Sequence, residues 1–186
     1  MSTGLRLSVE EYARLGETGA LDELGRRLEL IDGEIREMSS FGPIHCNYVD
    51  DLTEWSVLAT MGTRWKVHVQ SDIVLANSQP VPDLVWMTRR RYRHHLPTAA
   101  DIQLVIKVAN SSLGYDLGEK AAMYASHRIT EYWVVDVQAA QFHVHRSPSD
   151  GIYESTHQVQ PGERLSPKCH PEAALDVSVL FVDEES

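Results

Sequence analysis

The chain has 186 residues, of which 42% are hydrophobic and 24% charged, and its formal net charge is −10 at pH 7. This length and composition are typical of a globular protein with a single core, so we expect one domain over residues 1–186. The acidic balance does not favour nucleic acid as a general partner of the surface, and a role on DNA therefore requires a local basic patch.

The chain gives no sign of disulfide chemistry or of a membrane segment. Cys46 and Cys169 lie far apart and belong to no C-x-x-C pair, so neither a disulfide framework nor a thiolate zinc site is indicated. The N-terminal residues lack the apolar region of a secretory signal, and no stretch approaches the roughly 18 apolar residues that span a bilayer. We expect a cytoplasmic protein without a membrane partner.

The first half of the chain predicts a helix, a hairpin and a second helix. Ser8 and Glu11 form a capping box at the start of a short amphipathic helix. A period-two pattern around Asp32 and Gly33 predicts an antiparallel hairpin. Two acidic side chains lie on its strands, Glu29 and Glu34. The longest helix is expected from Pro43 to the residues before Gly62, followed by strands over 65–69, 72–76 and 83–86.

The second half predicts a parallel crossover. The run I-Q-L-V-I-K-V, which contains Lys107, is nearly continuous in aliphatic residues, as expected of a central strand covered on both faces. Asp116 is expected to cap a helix that runs to about Ser126, and E-Y-W-V-V-D supplies the next strand, which completes a βαβ unit. A final hairpin is expected from Q-F-H-V-H-R and G-I-Y-E-S-T.

Two charged residues stand in apolar strands, Asp83 in V-P-D-L-V-W and Lys107 in L-V-I-K-V-A-N-S-S. Such placements are costly without a partner. Asp83 is either a strand-end aspartate that accepts backbone N–H bonds or a ligand of a hard divalent cation such as magnesium. An acidic residue at position 107 would complete a two-carboxylate metal site. Because the residue is a lysine, the prediction of function depends on this position.

Lys120 is a further charged residue expected to face the sheet. On the predicted helix it shares a face with Leu117 and Tyr124, at spacings of three and four residues. It either extends its ammonium group to solvent along the apolar surface or binds an anion. The candidate anions are Asp83 and a phosphate bound at the same place.

Several blocks of the chain together resemble a known family. They are R-L-E-L-I-D-G-E-I-R-E-M-S, P-I-H-C-N-Y-V, V-Q-S-D-I-V-L-A-N-S-Q-P-V-P-D-L-V-W, L-V-I-K-V-A-N-S-S-L-G-Y-D-L-G-E-K-A-A-M-Y-A and T-E-Y-W-V-V-D. In order and spacing, over about residues 5–146, they resemble the Uma family of putative restriction endonucleases, of the PD-(D/E)xK nuclease superfamily. The resemblance implies an α/β (α+β mixed sheet) fold with a restriction-endonuclease-like core and flanking helices.

The resemblance also implies a catalytic site that uses Mg²⁺ or Mn²⁺. By position, Asp83 matches the metal-binding aspartate, and Lys120 matches a lysine moved to the following helix. Lys107 stands where the family pattern I-E-V-S has its glutamate. This departure places an ammonium group beside the expected cation, and repulsion between the two charges predicts weakened or lost metal binding.

Other positions carried over from the family complete the predicted site. They are Glu29 or Glu34 as acidic positions of the early hairpin, His45 at the start of the long helix, and Gln70 on the strand before Asp83. Two outcomes are open on the sequence alone. Either Glu29, Glu34 or Asp72 supplies the missing oxygen ligand, or Lys107 pairs with Asp83 and stabilises the fold without metal.

One basic cluster provides the local patch that binding to DNA requires. T-R-R-R-Y-R-H-H contains Arg89, Arg90, Arg91 and Arg93, and is either a phosphate-contacting segment beside the Asp83 site or a solvated loop. The sequence thus predicts a metal-dependent DNA endonuclease whose site Lys107 weakens or disables. The alternative is a catalytically silent protein that binds DNA or forms homo-oligomers. We expect a homodimer.

Overall fold

The computed structural model describes residues 4–39 and 42–182. Its helices are α1 (Val9–Glu17), α2 (Pro43–Thr60), α3 (Leu113–Tyr115), α4 (Ala121–Ser126) and α5 (Ser178–Phe181), and a π-helical turn spans Asp116–Lys120. Its strands are β1 (Leu28–Ile31), β2 (Glu34–Glu37), β3 (Trp65–Val69), β4 (Leu84–Thr88), β5 (Ile102–Ala109), β6 (Glu131–Asp136), β7 (Gln141–Ser149), β8 (Ile152–Val159), β9 (Arg164–Leu165) and β10 (Leu175–Asp176). Short 3₁₀ turns lie at Asp22–Leu24 and Ala99–Asp101.

A six-stranded mixed sheet in the order β3-β4-β5-β6-β7-β8 forms the centre of the molecule. Strands β5 and β6 pair in parallel, whereas the other neighbours in this sheet are antiparallel. A parallel pair needs a crossover connection, and α3, the π-helical turn and α4 supply it. The mixed sheet with flanking helices confirms the predicted fold class and the predicted central position of β5.

Alternation along the strands divides the core between the two faces of the sheet. Leu104 and Ile106 of β5 pack on one face with Val49 and Leu52 of α2. The residues of β5 that alternate with these lie on the opposite face of the sheet, toward the crossover helix. There Val105 packs in a second hydrophobic cluster with Tyr124 and Tyr132. Lys107 belongs to this second register, so its side chain points toward the crossover helix.

The N-terminal elements follow their sequence signals. The capping box of Ser8 and Glu11 is present at α1. Strands β1 and β2 form the expected hairpin, with positive φ angles at Asp32 (48°) and Gly33 (78°) that suit a tight two-residue turn. Pro43 occupies the first turn of α2, where its missing N–H removes no helical hydrogen bond.

Two local predictions were wrong. Residues 72–76 form isolated bridges instead of a strand, because the chain turns back at once: Leu75 and Ser78 bond to each other's main chain and Ala76 has a φ of 48°. Asp116 does not cap the crossover helix, since the helical segment begins at Leu113 and Asp116 lies inside it. The early start brings the Asp116 side chain into the interior.

Candidate active site

Asp83 immediately precedes β4 and is 1% exposed. The register that pairs Leu84 with Ile106 places Asp83 directly opposite Lys107 on β5. Lys107 Nζ is 2.9 Å from Asp83 Oδ2, which also accepts a hydrogen bond from the Val108 N–H at 2.8 Å. This distance makes the two residues an ion pair.

His45 approaches the other oxygen of Asp83 from the first turn of α2. Its Nε2 is 3.2 Å from Asp83 Oδ1. Burial raises the pKa of the aspartate, but Lys107, His45 and the Val108 N–H outweigh it and lower that pKa to about 2. Asp83 is therefore a stably ionised carboxylate with contacts at both oxygens.

Lys120 pairs with Glu29, not with Asp83. Its Nζ, on the last residue of the π-helical turn, contacts Glu29 Oε2 on β1, and the side chains are 3% and 4% exposed. Burial lowers the pKa of Lys120, and the Glu29 carboxylate opposes that effect. Of the two candidate anions, Asp83 is thus not the partner of Lys120. The contact with Glu29 joins the hairpin to the crossover helix.

Asp116, which the sequence pattern predicted to cap the crossover helix, is a buried acidic residue. Its Oδ2 accepts a hydrogen bond from Ser112 Oγ at 2.5 Å, and burial raises its pKa although Lys107 and Lys120 lower it. A π-helical turn widens the helix and is frequent at functional sites. Here Asp116 and Lys120 lie at its two ends and are both buried. Their spacing of four residues was the signal available in the sequence.

These groups open into one small cleft, which we call the lysine cleft. Its cavity volume is about 120 Å³, and its lining includes Arg27, Glu29, His45, Lys107, Asp116 and Lys120. For Lys107, burial lowers the pKa, but Asp83, Asp116 and Glu29 outweigh it and raise the pKa overall. The lysine cleft is therefore a compact set of cations and carboxylates with room for one small group.

Other predicted site residues lie outside the lysine cleft. Glu34 is half-exposed and pairs with Arg6 at 3.2 Å and Arg36 at 3.0 Å. Gln70 bonds through its backbone N–H to the Asp83 carbonyl at 2.8 Å, but its side chain lines a second opening. Asp72 lines that opening too. Neither Glu34 nor Asp72 supplies an oxygen to the lysine cleft.

The basic cluster lies at the far end of β4 from Asp83, not beside it. The five residues of β4 separate Asp83 from Arg89, which is about 20 Å along the strand. Arg89 bonds to the carbonyls of Thr60 and Thr63 at the C-terminal end of α2, whereas His45 reaches Asp83 from the N-terminal end of that helix. The expectation that the cluster adjoins the site was therefore wrong.

The four arginines of this cluster differ in their contacts. Arg89 bonds to the two carbonyls at the end of α2, and Arg90 Nη2 lies 2.6 Å from Asp101 Oδ1. Arg91 and Arg93 are exposed. Arg89 and Arg90 thus have contacts within the fold, and Arg91 and Arg93 are the better placed of the four for an external phosphate.

The sequence of the chain matches the model of a known protein family. The model of the Uma2 family, described as "Putative restriction endonuclease", matches residues 9–178. The chain belongs to the Uma2 family. This membership confirms the resemblance seen in the sequence blocks.

A solved structure supports the fold of this Uma2 chain. The chain is similar to the crystal structure of a putative nuclease belonging to DUF820 from Anabaena variabilis, at 14% identity and a TM-score of 0.72. The alignment covers 94% of this chain and 97% of that one. No curated protein sequence matches the chain. At this identity the similarity establishes a shared fold. Within the described residues, no helix is long and apolar enough to cross a membrane.

The restriction-endonuclease-like fold of Uma2 implies a divalent cation, but the donor set of the lysine cleft does not fit one. Lys107 contacts Asp83, and Lys120 contacts Glu29. Two unit charges 4 Å apart repel by about 4 kcal/mol at an effective dielectric of 20, and a divalent ion doubles this. Among residues 4–39 and 42–182, no group of three or more His, Cys, Asp or Glu side chains is arranged to hold a metal ion.

Proposed function

We propose that this Uma2 protein binds the phosphate backbone of DNA and has lost metal-dependent hydrolysis through the lysine at position 107. The observation that carries the proposal is the 2.9 Å contact between Lys107 Nζ and Asp83 Oδ2. The Lys107 ammonium group contacts Asp83 at the place where a second carboxylate would be needed to complete a cation site. We further propose that one domain holds this site.

Phosphate binding is supported by the cations of the lysine cleft. Lys107, Lys120 and Arg27 line a cavity of about 120 Å³, which suits a group of the size of a phosphate. Phosphate contacts by lysine and arginine supply most of the sequence-independent affinity of proteins for DNA. Glu29 and Asp83 hold the two lysines in place, so the cations are fixed before a phosphate enters.

An active endonuclease is the second candidate. His45 contacts Asp83, and Lys120 contacts Glu29. His45, Glu29 and Lys120 line the lysine cleft, and the family description supports phosphodiester hydrolysis. In this case the cation would have to displace Lys107 from Asp83. The two candidates differ in one measurable property, the cleavage of DNA by the native chain in the presence of Mg²⁺ or Mn²⁺.

Binding and cleavage of a labelled DNA duplex by the native protein separate the two candidates. For a binding protein we expect affinity that falls with rising salt and no cleavage with either cation. Cleavage by the native chain that disappears in Asp83→Ala would overturn the proposal in favour of the enzyme. Absence of both salt-dependent binding and cleavage would overturn both candidates.

Lys107→Glu tests the cause of the proposed loss. The variant places two carboxylates opposite each other on β4 and β5, so we expect calorimetry to detect Mg²⁺ or Mn²⁺ binding that the native chain lacks. The matched control is Lys168→Glu, which makes the same charge change at an exposed residue. Equal metal affinity in the native chain and in Lys107→Glu would contradict the role of this position.

A further inference from the structure

The two edge strands of the central sheet, β3 and β8, differ in how they are protected from pairing with another chain. The outward N–H and C=O groups of an edge strand pair readily with a further strand, and proteins usually prevent this with lysine, proline or a short strand. Strand β3 has five residues, contains Lys66 and follows Arg64. It is therefore both short and positively charged.

Strand β8 has none of these protective features. It is eight residues long, and six of them are exposed. Its sequence, I-Y-E-S-T-H-Q-V, contains no lysine, arginine or proline, and Glu154 is its one acidic residue. Within the described part of the chain, its main chain bonds to no strand other than β7, so its outward backbone groups are open. An unprotected edge of this length indicates that another strand covers it.

The charges of β8 favour a second copy of the same chain as that partner. Each copy has a net charge of −10, so two copies approach most easily where the surface carries few charges. Residues 155–158 contain no Asp, Glu, Lys or Arg. In an antiparallel pair with a two-fold axis at Thr156, this residue faces its own copy, Ser155 faces His157, and Glu154 faces Gln158. The carboxylate thus meets an amide donor, and no like charges are opposed.

Exposed apolar residues at the two ends of β8 favour the same arrangement. Ile152, the first residue of the strand, is 64% exposed. Beyond the other end, the Gly162 N–H donates to Ser178 Oγ at 2.7 Å, which fixes the start of α5 there, and the next residue, Val179, is 68% exposed. Antiparallel pairing places the start of one β8 beside the end of the other. It therefore brings Ile152 close to the partner's Val179, so each apolar side chain gains a neighbour.

We propose that two copies of this chain associate through antiparallel pairing of their β8 strands about a two-fold axis at Thr156. The pairing joins the two six-stranded sheets into one continuous sheet. Lys107 lies on β5, three strands away from this edge, so the lysine cleft stays open in the dimer. The contact is one strand wide, and a small interface of this kind predicts a reversible dimer.

Sedimentation velocity with the native chain tests the association. Over a concentration series from about 1 to 100 μM, we expect a monomer that converts reversibly to a dimer. Hydrogen exchange at the two ends of the series locates the contact, because outward amides of residues 155–158 are expected to exchange more slowly in the dimer. A monomer throughout the series, or a dimer without added protection in β8, would overturn the proposal.

Variants at the two-fold axis test the pairing itself. Thr156→Lys places two ammonium groups opposite each other, and Thr156→Glu places two carboxylates there. We expect each variant alone to dimerise at least about tenfold more weakly than the native chain. An equal mixture of the two is expected to recover the dimer, because the ammonium then faces a carboxylate. Failure of the mixture to associate would overturn the antiparallel pairing at Thr156.

Leu58→Lys is the control, since Leu58 is a 61% exposed apolar residue on α2, away from β8. It introduces the same ammonium group and removes exposed apolar surface. We expect Leu58→Lys to dimerise like the native chain. Loss of the dimer in Leu58→Lys together with its retention in Thr156→Lys would assign the contact to α2 and overturn the role of β8.

Discussion

Asp83 and Lys107 face each other across two antiparallel strands and form an ion pair in which Nζ lies 2.9 Å from Oδ2. The two side chains are 1% and 10% exposed, so solvent screens the pair little. At the position where we propose that a second carboxylate would complete a cation site, the chain holds an ammonium group that neutralises Asp83 within the protein. The contact therefore accounts both for the stability of two buried charges and for the expected loss of a cation site.

The ion pair predicts strong coupling in a double-mutant cycle. Lys107→Met leaves the Asp83 carboxylate buried without its ammonium partner, and we expect a loss of about 3–5 kcal/mol in the free energy of unfolding. Adding Asp83→Asn removes the uncompensated charge, so the double variant should recover part of that loss. Urea denaturation of the native chain, both single variants and the double variant measures the coupling. Additive single effects would contradict it.

The buried pair of Lys120 and Glu29 is expected to outweigh a surface pair of the same type. Lys120→Met leaves Glu29 buried and unpaired, which predicts a loss of about 3–5 kcal/mol in unfolding free energy. The control is Arg26→Met, because Arg26 and Glu37 form an exposed pair at 2.9 Å that is expected to contribute at most about 1 kcal/mol. Urea midpoints and slopes for the two variants provide the comparison. Similar losses would show that the interior position of Lys120 gives it no special role.

Local sequence signals predicted much of this fold. The capping box at Ser8, the turn at Asp32 and Gly33 and the aliphatic run around Lys107 all act over short distances, and the elements they predict are present. The run 72–76 has the composition of a strand but turns back too early to pair as one. The composition of a short segment does not indicate where the backbone reverses direction.

The site itself was predictable only in part, since its contacts join distant parts of the chain. Glu29 and Lys120 are 91 residues apart, so no spacing rule identifies them as partners. The arginine cluster follows Asp83 closely in sequence, yet β4 carries it to the opposite end of the sheet. The homodimer and the cytoplasmic location stay predictions.

The exposed arginines of that cluster predict an effect on DNA affinity without an effect on stability. Replacing Arg91 and Arg93 together by glutamine removes two exposed charges, and the salt slope of binding should fall by about one for each phosphate that the variant no longer neutralises. Arg89→Gln is the contrasting variant, because Arg89 bonds to carbonyls at the end of α2 and its replacement should lower thermal stability. DNA binding measured across a salt series, together with thermal unfolding, separates the two effects. An unchanged slope in the double variant would exclude these arginines from the DNA interface.

His145 predicts a loss of stability on mild acidification. The residue is 9% exposed, and its ring lies against the rings of Tyr132 and Tyr153, each at 5.6 Å between centroids. Burial, with smaller contributions from His143 and His157, lowers its pKa from 6.5 to about 4. The folded protein thus keeps His145 neutral, while the unfolded chain binds a proton as the pH falls below 6.5. The contribution of neutral His145 to the free energy of unfolding is fully present above pH 6.5. It is lost progressively as the pH falls to 4, by up to about 3 kcal/mol.

The difference between the native chain and His145→Phe isolates this contribution from the titration of the carboxylates. We expect urea unfolding at intervals from pH 7.5 to 4 to show a shallower loss of stability in the variant, because phenylalanine preserves the aromatic packing and binds no proton. His94→Phe, at an exposed position, is the control and should follow the native curve. If His145→Phe lost as much stability as the native chain over this range, the acid sensitivity would have to lie in other groups.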